Sequence, residues 1–267
     1  MFLKYPRTPH LEGSKLQPGD HDHDQVSLSS LTQGELVWEE KVDGANSGIS
    51  FDEQGNLQLQ SRGHVLTGGA REAQFNLFKT WAVGYQEDLY CVLHERYIMY
   101  GEWCYARHSV FYDLLPHYFL EFDVYDKQTR KWLSTDVRHQ LLAPLQVCHV
   151  PVVHRGHVKT RKHMQSLIQP SAFKSENWAE SLRAQAVKAG VDPAQAWAET
   201  EKTRLMEGLY VKQELNGEVI GRYKYVRYDF VQTIVESGSH WADRPMIVNM
   251  LAPGAQLFGA PVTTPSI

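Results

Sequence analysis

A chain of 267 residues, 42% hydrophobic and 22% charged, can bury a substantial core as one large domain or as one domain with a small appendage, which excludes a disordered or fibrous protein. A formal charge of -4 at pH 7 excludes the strong overall positive excess of many nucleic-acid binders, so any such role falls to a local basic face. Cys91, Cys104 and Cys148 lack Cys-x-x-Cys spacing, which argues against both a disulfide framework and a zinc site; with no signal-peptide pattern and no membrane-length apolar run, a reduced, cytoplasmic, soluble protein is expected.

In chain order, Lys4 to His10 carries two prolines and is expected to run extended over the surface, with no chemistry assigned. His21-Asp22-His23-Asp24 lies in a stretch rich in Pro, Gly and Asp and reads as a solvated loop in preference to a metal site. Glu35 to Lys41 and Ala45 to Phe51 read as strands around a turn, and Glu53 to Asn56 as a hairpin loop into Leu57 to Arg62. Phe75, Phe78, Trp81 and Ala82 fall at helical spacing and predict a core-facing stripe. Further strands are expected at Leu89 to Leu93, Ile98 to Trp103 and Tyr118 to Tyr125, the last with Phe119, Glu121, Asp123 and Tyr125 alternating onto a mixed face. From about 155 to 205 the composition turns helical and charged, with Asp192-Pro193 as an N-cap and first-turn proline, and predicts a helical insertion. Glu207 to Glu214 and Val219 to Arg227 form a hairpin around Asn216-Gly217. Residues 231–267 are expected as a short tail packed on a domain spanning 1–230, with too few residues for a five-stranded barrel and with Trp241, Met246 and Leu251 as packing residues. The fold class is α+β, with antiparallel sheets flanked by helices.

The hexapeptide Lys41-Val42-Asp43-Gly44-Ala45-Asn46 carries the most chemical information. Lys41 and Asp43 share one face of an extended strand, and Gly44 lets the backbone turn close to a phosphate. Lys-x-Asp-Gly occurs by chance roughly 0.05 to 0.1 times in a chain of this length, so a surface salt bridge beside a turn competes with a chemically used lysine until companions are found. A lysine attacks only when neutral, and about one in a thousand is neutral near pH 7.4, so neighbouring cations or low dielectric are expected to lower its pKa. Arg222 and Lys224, two apart on one strand face, and Glu207, as holder of a divalent metal, are placed to do so.

These residues recur in a family order. Lys41-Val42-Asp43-Gly44 is followed by Ser61-Arg62-Gly63, Tyr100-Gly101-Glu102-Trp103, Phe119-Leu120-Glu121-Phe122-Asp123, Glu207-Gly208-Leu209-Tyr210-Val211-Lys212 and Arg222-Tyr223-Lys224. On these six segments the chain resembles the covalent nucleotidyltransferases, and within them the ATP-dependent RNA ligases of the phage RNA ligase 2 and RNA-editing ligase type. The resemblance implies a nucleotidyltransferase (ATP-grasp-like ligase) domain in which Lys41 attacks the α-phosphorus of ATP, releases pyrophosphate and holds AMP. AMP then passes to a 5′-phosphate end, and a 3′-hydroxyl displaces it. It further implies that Glu40 contacts the adenine amino group, and that Val42, Asn46 and Arg62 lie about the nucleotide. Glu102 meets the ribose hydroxyl, Phe119 stacks on adenine, Asp43 and Glu207 bind Mg or Mn, and Lys212, Arg222 and Lys224 neutralise phosphate charge. Arg222 stands where the family more usually has lysine; it keeps the charge but does not readily act as a general acid.

The expected partner is nucleic acid with 5′-phosphate and 3′-hydroxyl ends, RNA before DNA because Asn46 stands where DNA ligases usually place arginine; an end-processing kinase or phosphatase is a candidate companion. Arg155 to His163 is either a charged surface or a contact for a phosphate backbone. A DNA ligase, a capping guanylyltransferase and a binding module that no longer seals are the alternatives.

Overall fold

The computed structural model describes residues 2–16, 25–145, 147–230 and 245–258. His21 to Asp24 and Trp241 lie outside the described residues. Two sheets form the frame. The first has the order β2-β1-β11-β10-β3-β9, built from β1 (His10–Leu11), β2 (Gln25–Val26), β3 (Glu35–Lys41), β9 (Val152–Arg155), β10 (Gly208–Leu215) and β11 (Glu218–Val226). The second has the order β5-β4-β6-β7-β8, from β4 (Ala45–Phe51), β5 (Leu57–Ser61), β6 (Tyr97–Trp103), β7 (Phe119–Asp126) and β8 (Lys131–Trp132). Pairing is antiparallel except at β1, which runs parallel to β11 and β2. The mixed α+β class expected from the sequence is the class observed, and among the described residues no helix is long and apolar enough to cross a membrane.

Local sequence accounts for most elements. Asn216 and Gly217 both take positive φ, the left-handed backbone of a tight hairpin turn between β10 and β11. The expected apolar stripe folds as α1 (Asn76–Gly84), burying Phe78, Trp81 and Ala82 against the outer face of the second sheet. The strand expected at Leu89 to Leu93 is instead helix α2 (Gln86–Leu93): Leu89 and Leu93 fall one turn apart and are both fully buried, while Glu87 and Asp88 occupy the first turn, where acidic side chains suit the helix dipole. The 155–205 stretch contains α4 (Arg161–Ser166), α5 (Trp178–Lys188) and α6 (Pro193–Ala198), the last capped by Asp192 through Ala194 N–H at 3.2 Å. In the tail, Ile247 is buried beside Phe111 and the α5–α6 pair, and Leu251 packs against a cluster that includes Leu115 and Leu120; Met246, expected to pack, is exposed.

Strand β7 departs from strict alternation. Gly101 pairs with Glu121 and Tyr100 with Asp123, so Phe122 has no partner across the ladder. This bulge reverses the parity of the strand. Phe119 and Val124 therefore share one core with Phe78 and Trp103, while Asp123 faces the other way, toward Tyr5 and Arg222.

Between the sheets lies a chain of buried charges. Arg138, on α3 (Thr135–Leu142), binds Glu39 and Glu121; Lys212 lies 2.9 Å from Glu39 Oε2 and 3.6 Å from Asp123; Arg222 donates to Asp123 at 2.9 Å. Burial drives the neighbouring His139 ring down to a pKa of about 3, and Arg138 adds to the effect.

Candidate active site

Lys41 ends β3 in the first sheet and Ala45 begins β4 in the second, so the turn Val42-Asp43-Gly44 is the hinge at which the chain crosses between sheets. Three hydrogen bonds fix this hinge. Asp43 Oδ2 accepts the Ser109 and Val110 amides at 2.7 and 2.8 Å, and the Asp43 amide donates to Tyr112 Oη at 2.9 Å. A cleft of about 720 Å³ opens beside it. The β3–β10 register pairs Lys41 with Gly208, which brings Glu207 alongside, and Lys41 Nζ donates to Glu207 Oε2 at 2.6 Å. Glycine is required after Glu207, because a Cβ at Gly208 would lie 1.9 Å from the Tyr225 carbonyl oxygen.

Of the residues expected at the site, Glu40, Lys41, Val42, Asp43, Asn46, Arg62, Glu102, Glu207 and Lys224 all line this cleft. Asn46 and Glu102 face each other across β4 and β6, and Arg62 stands exposed at the rim. Three expected residues are elsewhere. Phe119 is fully buried and stacked on Phe78 at 5.7 Å between ring centroids, so it is a core aromatic; the bulge turns Phe122 into the cleft in its place. Lys212 is fully buried, held by Glu39, Asp123 and the Phe122 carbonyl, and Arg222 is held by Asp123 and lies 4.0 Å over the Trp132 ring. Their charge is spent on the inter-sheet network, so of the three cations in the last two motifs, Lys212, Arg222 and Lys224, the one that lines the cleft is Lys224.

The electrostatics correct one expectation. Burial does push the Lys41 ammonium down, but Glu207, followed by Asp43 and Glu102, outweighs it and holds the pKa above 10.5. The carboxylates move the opposite way: burial raises Glu102 to about 8, and Glu40 and Glu207 to about 7 each. Glu40 is anchored from the insertion, its two oxygens accepting Ser171 Oγ at 2.5 Å and the Ala172 amide at 3.2 Å.

The donor set of the cleft fits a divalent cation of the hard class, since its candidate ligands are oxygens. Glu207 and Glu102 have their carboxyl groups in the cleft, and Asn46 Oδ1 is a buried acceptor without a partner. Asp43, the other expected metal ligand, already has one oxygen engaged by two amides.

The N-terminal segment, assigned no chemistry from the sequence although able to approach a nucleotide, reaches the cleft. Leu3 O accepts Gln60 Nε2 and Tyr100 Oη on the second sheet, while Pro9 O accepts the Lys224 amide on the first, so the segment straps the two sheets together; Tyr5, Pro6, Thr8 and His10 line the cleft. In the Arg155 to His163 stretch, Arg155 pairs with Asp136 at 2.6 Å and with Glu35 at 3.2 Å, His157 bonds the Gly34 carbonyl and Thr160 caps α4, while Lys159, Arg161 and Lys162 are exposed.

The class defined by this fold and cleft agrees with the comparisons. A family model described as RNA ligase matches residues 34–262, and the chain belongs to the RNA ligase family. Among solved structures, two variants of Naegleria gruberi RNA ligase with ATP and Mn align at 16% identity with a TM-score of 0.53 and at 15% with 0.54, covering 86% and 88% of this chain. A third, with AMP and Mn, aligns at 15% identity over 77% of the chain with a TM-score of 0.50. The chain spans 53% to 59% of the length of those structures. No curated protein sequence matches.

Proposed function

We propose that the protein is an ATP-dependent RNA ligase working through a lysyl-AMP intermediate. The observation that carries this reading is the Lys41–Glu207 contact at 2.6 Å, set in a cleft that also holds Asn46, Arg62, Glu102 and Lys224. Lys41 loses a proton and its amine attacks the α-phosphorus of ATP; an N–P bond forms as the bond to pyrophosphate breaks. The 5′-phosphate of a strand then takes the adenylyl group and frees Lys41, and a 3′-hydroxyl attacks the activated phosphate and expels AMP.

Each cleft residue has a task that its position supports. Glu40, presented by Ser171 and Ala172 as an acceptor, receives the adenine amino group, and Phe122 offers the stacking face. Glu102 and Asn46, adjacent across two strands, meet the ribose hydroxyls, and Arg62 and Lys224 hold phosphate oxygens. Glu207 would hold Mg or Mn, which when bound supplies the positive charge that draws Glu207 from Lys41 and screens the phosphates. Lys212, Arg222 and Asp43 act as frame: they fix the strands and the hinge that carry the contacting groups. Residues 1–230 form the adenylylating domain on this reading, the three free cysteines suit a cytoplasmic setting, and RNA repair is the role.

The test is strand joining. Nicked duplexes that are all RNA, mixed or all DNA, each with a 5′-phosphate and a 3′-hydroxyl, are supplied with ATP and Mn. Sealing of RNA-containing nicks is expected; sealing of all-DNA nicks alone would make the protein a DNA ligase.

A further inference from the structure

Outside the cleft, the fold brings together a second group of ligand-type side chains. Glu121 on β7, His139 on α3 and His149 each offer one donor atom, and these atoms lie within 4.8 Å of one another. The topology explains the meeting. Residues 148–150 run parallel to β7, bonded through Glu121 N–H to the Cys148 carbonyl at 2.8 Å and Val150 N–H to the Glu121 carbonyl at 2.9 Å, while α3 lays His139 against His149 with ring centroids 4.0 Å apart.

Two atoms in this group are orphaned. Glu121 is fully buried; its Oε2 bonds His149 Nδ1 at 2.6 Å and accepts Arg138, but its Oε1 has no partner, and neither has the buried Nε2 of His139. Leaving a buried polar atom unsatisfied is destabilising, and here two of them belong to one three-residue group.

We infer that Glu121, His139 and His149 form a transition-metal site of the zinc class, distinct from the nucleotide cleft. Two imidazoles and one carboxylate are a borderline donor set that suits Zn²⁺ or Co²⁺, whereas Mg²⁺ prefers the all-oxygen cleft. In a tetrahedral site, ligands bonded at about 2.0–2.1 Å sit about 3.3 Å apart, so closing the site shortens the longest donor–donor separation by up to about 1.5 Å. The cysteine spacing argues only against thiolate zinc sites and is silent on this donor set.

Charge and access both allow it. The surrounding network sets the carboxylates Glu39, Glu121, Asp123 and Glu214 against the cations Arg138, Lys212 and Arg222, which leaves room for added positive charge. Arg138 keeps its bond to Glu121 as an outer partner that orients the ligating carboxylate. His149 is 26% exposed, giving an ion a way in and water a fourth position. A bound ion ties α3 to β7 and to the segment leading to Val150, which lines the cleft.

The inference does not depend on the reading of the cleft, and its test is cobalt binding. The full chain, stripped with a chelator, is titrated with Co²⁺ and followed by visible d–d absorption, then challenged with Zn²⁺. One Co²⁺ per chain is expected, with the intense bands of four-coordination, displaced by one equivalent of Zn²⁺. Affinity should fall by about 100-fold or more in His139→Ala and in the milder His139→Asn, both checked for folding by circular dichroism, and should persist in Glu207→Gln. Zn²⁺ should also raise the Tm of the wild type and not that of His139→Asn. Absent cobalt bands in the wild type, or bands undiminished in a folded His139 variant, would overturn the site.

Discussion

Replacing Glu207 by glutamine should move Lys41 in opposite directions in two assays. In the structure the two side chains meet at 2.6 Å, with Lys41 25% and Glu207 4% exposed. Coulomb's law gives about 6 kcal/mol at that separation for an effective dielectric of ~20, and about 2 kcal/mol in bulk water. Since a quarter of the lysine is solvated, a loss of about 2–3 kcal/mol is the appropriate scale. Burial, which opposes the charged amine, then acts with less resistance, so the neutral fraction at fixed pH rises about 30-fold or more. Metal-free acylation by an amine-selective reagent, read at Lys41 by peptide mass spectrometry, should accelerate by that factor. Adenylylation with ATP and Mn should instead fall by about 100-fold or more, because the group that holds the metal against the phosphates is gone. Unchanged or slower acylation, or undiminished adenylylation, would refute the assignment of Glu207 as both the partner of Lys41 and the metal holder.

Phe119→Ala should cost about 3–5 kcal/mol of stability in urea denaturation as a core truncation, whereas Phe122→Ala, at a half-buried ring, should cost less and weaken ATP binding by about 1–3 kcal/mol; the reverse outcome would return the stacking role to Phe119. Arg138→Met should destabilise the protein by about 3–5 kcal/mol, because Glu39 and Glu121 lose the cation between them, and a change within experimental error would deny the network that role. The carboxyl of Glu102 stands at about 8 in the folded protein against an ordinary 4.5, so the folded state retains a proton that the unfolded chain has released. Its contribution therefore lowers stability as pH climbs from about 4.5 to about 8. The stability difference between wild type and Glu102→Gln should vary over that window, and a pH-independent difference would contradict the raised pKa.

What the sequence disclosed and what it hid divide along physical lines. The hinge at Lys41 to Asn46, the Glu207-Gly208 pair and the Asn216-Gly217 turn are legible because each depends on residues adjacent in sequence or on a register that a tight turn fixes. Phe119 was misplaced because alternation presumes an unbroken ladder, and the bulge at Phe122 is set by pairing with β6, which no local pattern announces. Leu89 to Leu93 is an apolar run short enough to serve as strand or helix; the neighbouring Glu87 and Asp88 were the available sign of a helix N-terminus. Lys212 and Arg222 looked like phosphate ligands since their counter-charges, Glu39 and Asp123, come from distant strands. The strap at Tyr5 to His10 gave little warning, because its pairing with β11 is a single parallel register pair, His10 with Lys224, more than 200 positions apart in the chain.

The most direct test of the central claim is covalent labelling. The full chain, cleared of any bound AMP, is incubated with α-labelled ATP and Mn beside Lys41→Ala and resolved under denaturing conditions. An acid-labile adenylyl group that maps to Lys41 and is missing from the variant is the predicted result; no label on the wild type, or equal label on both, would contradict the account of Lys41 as the nucleophile.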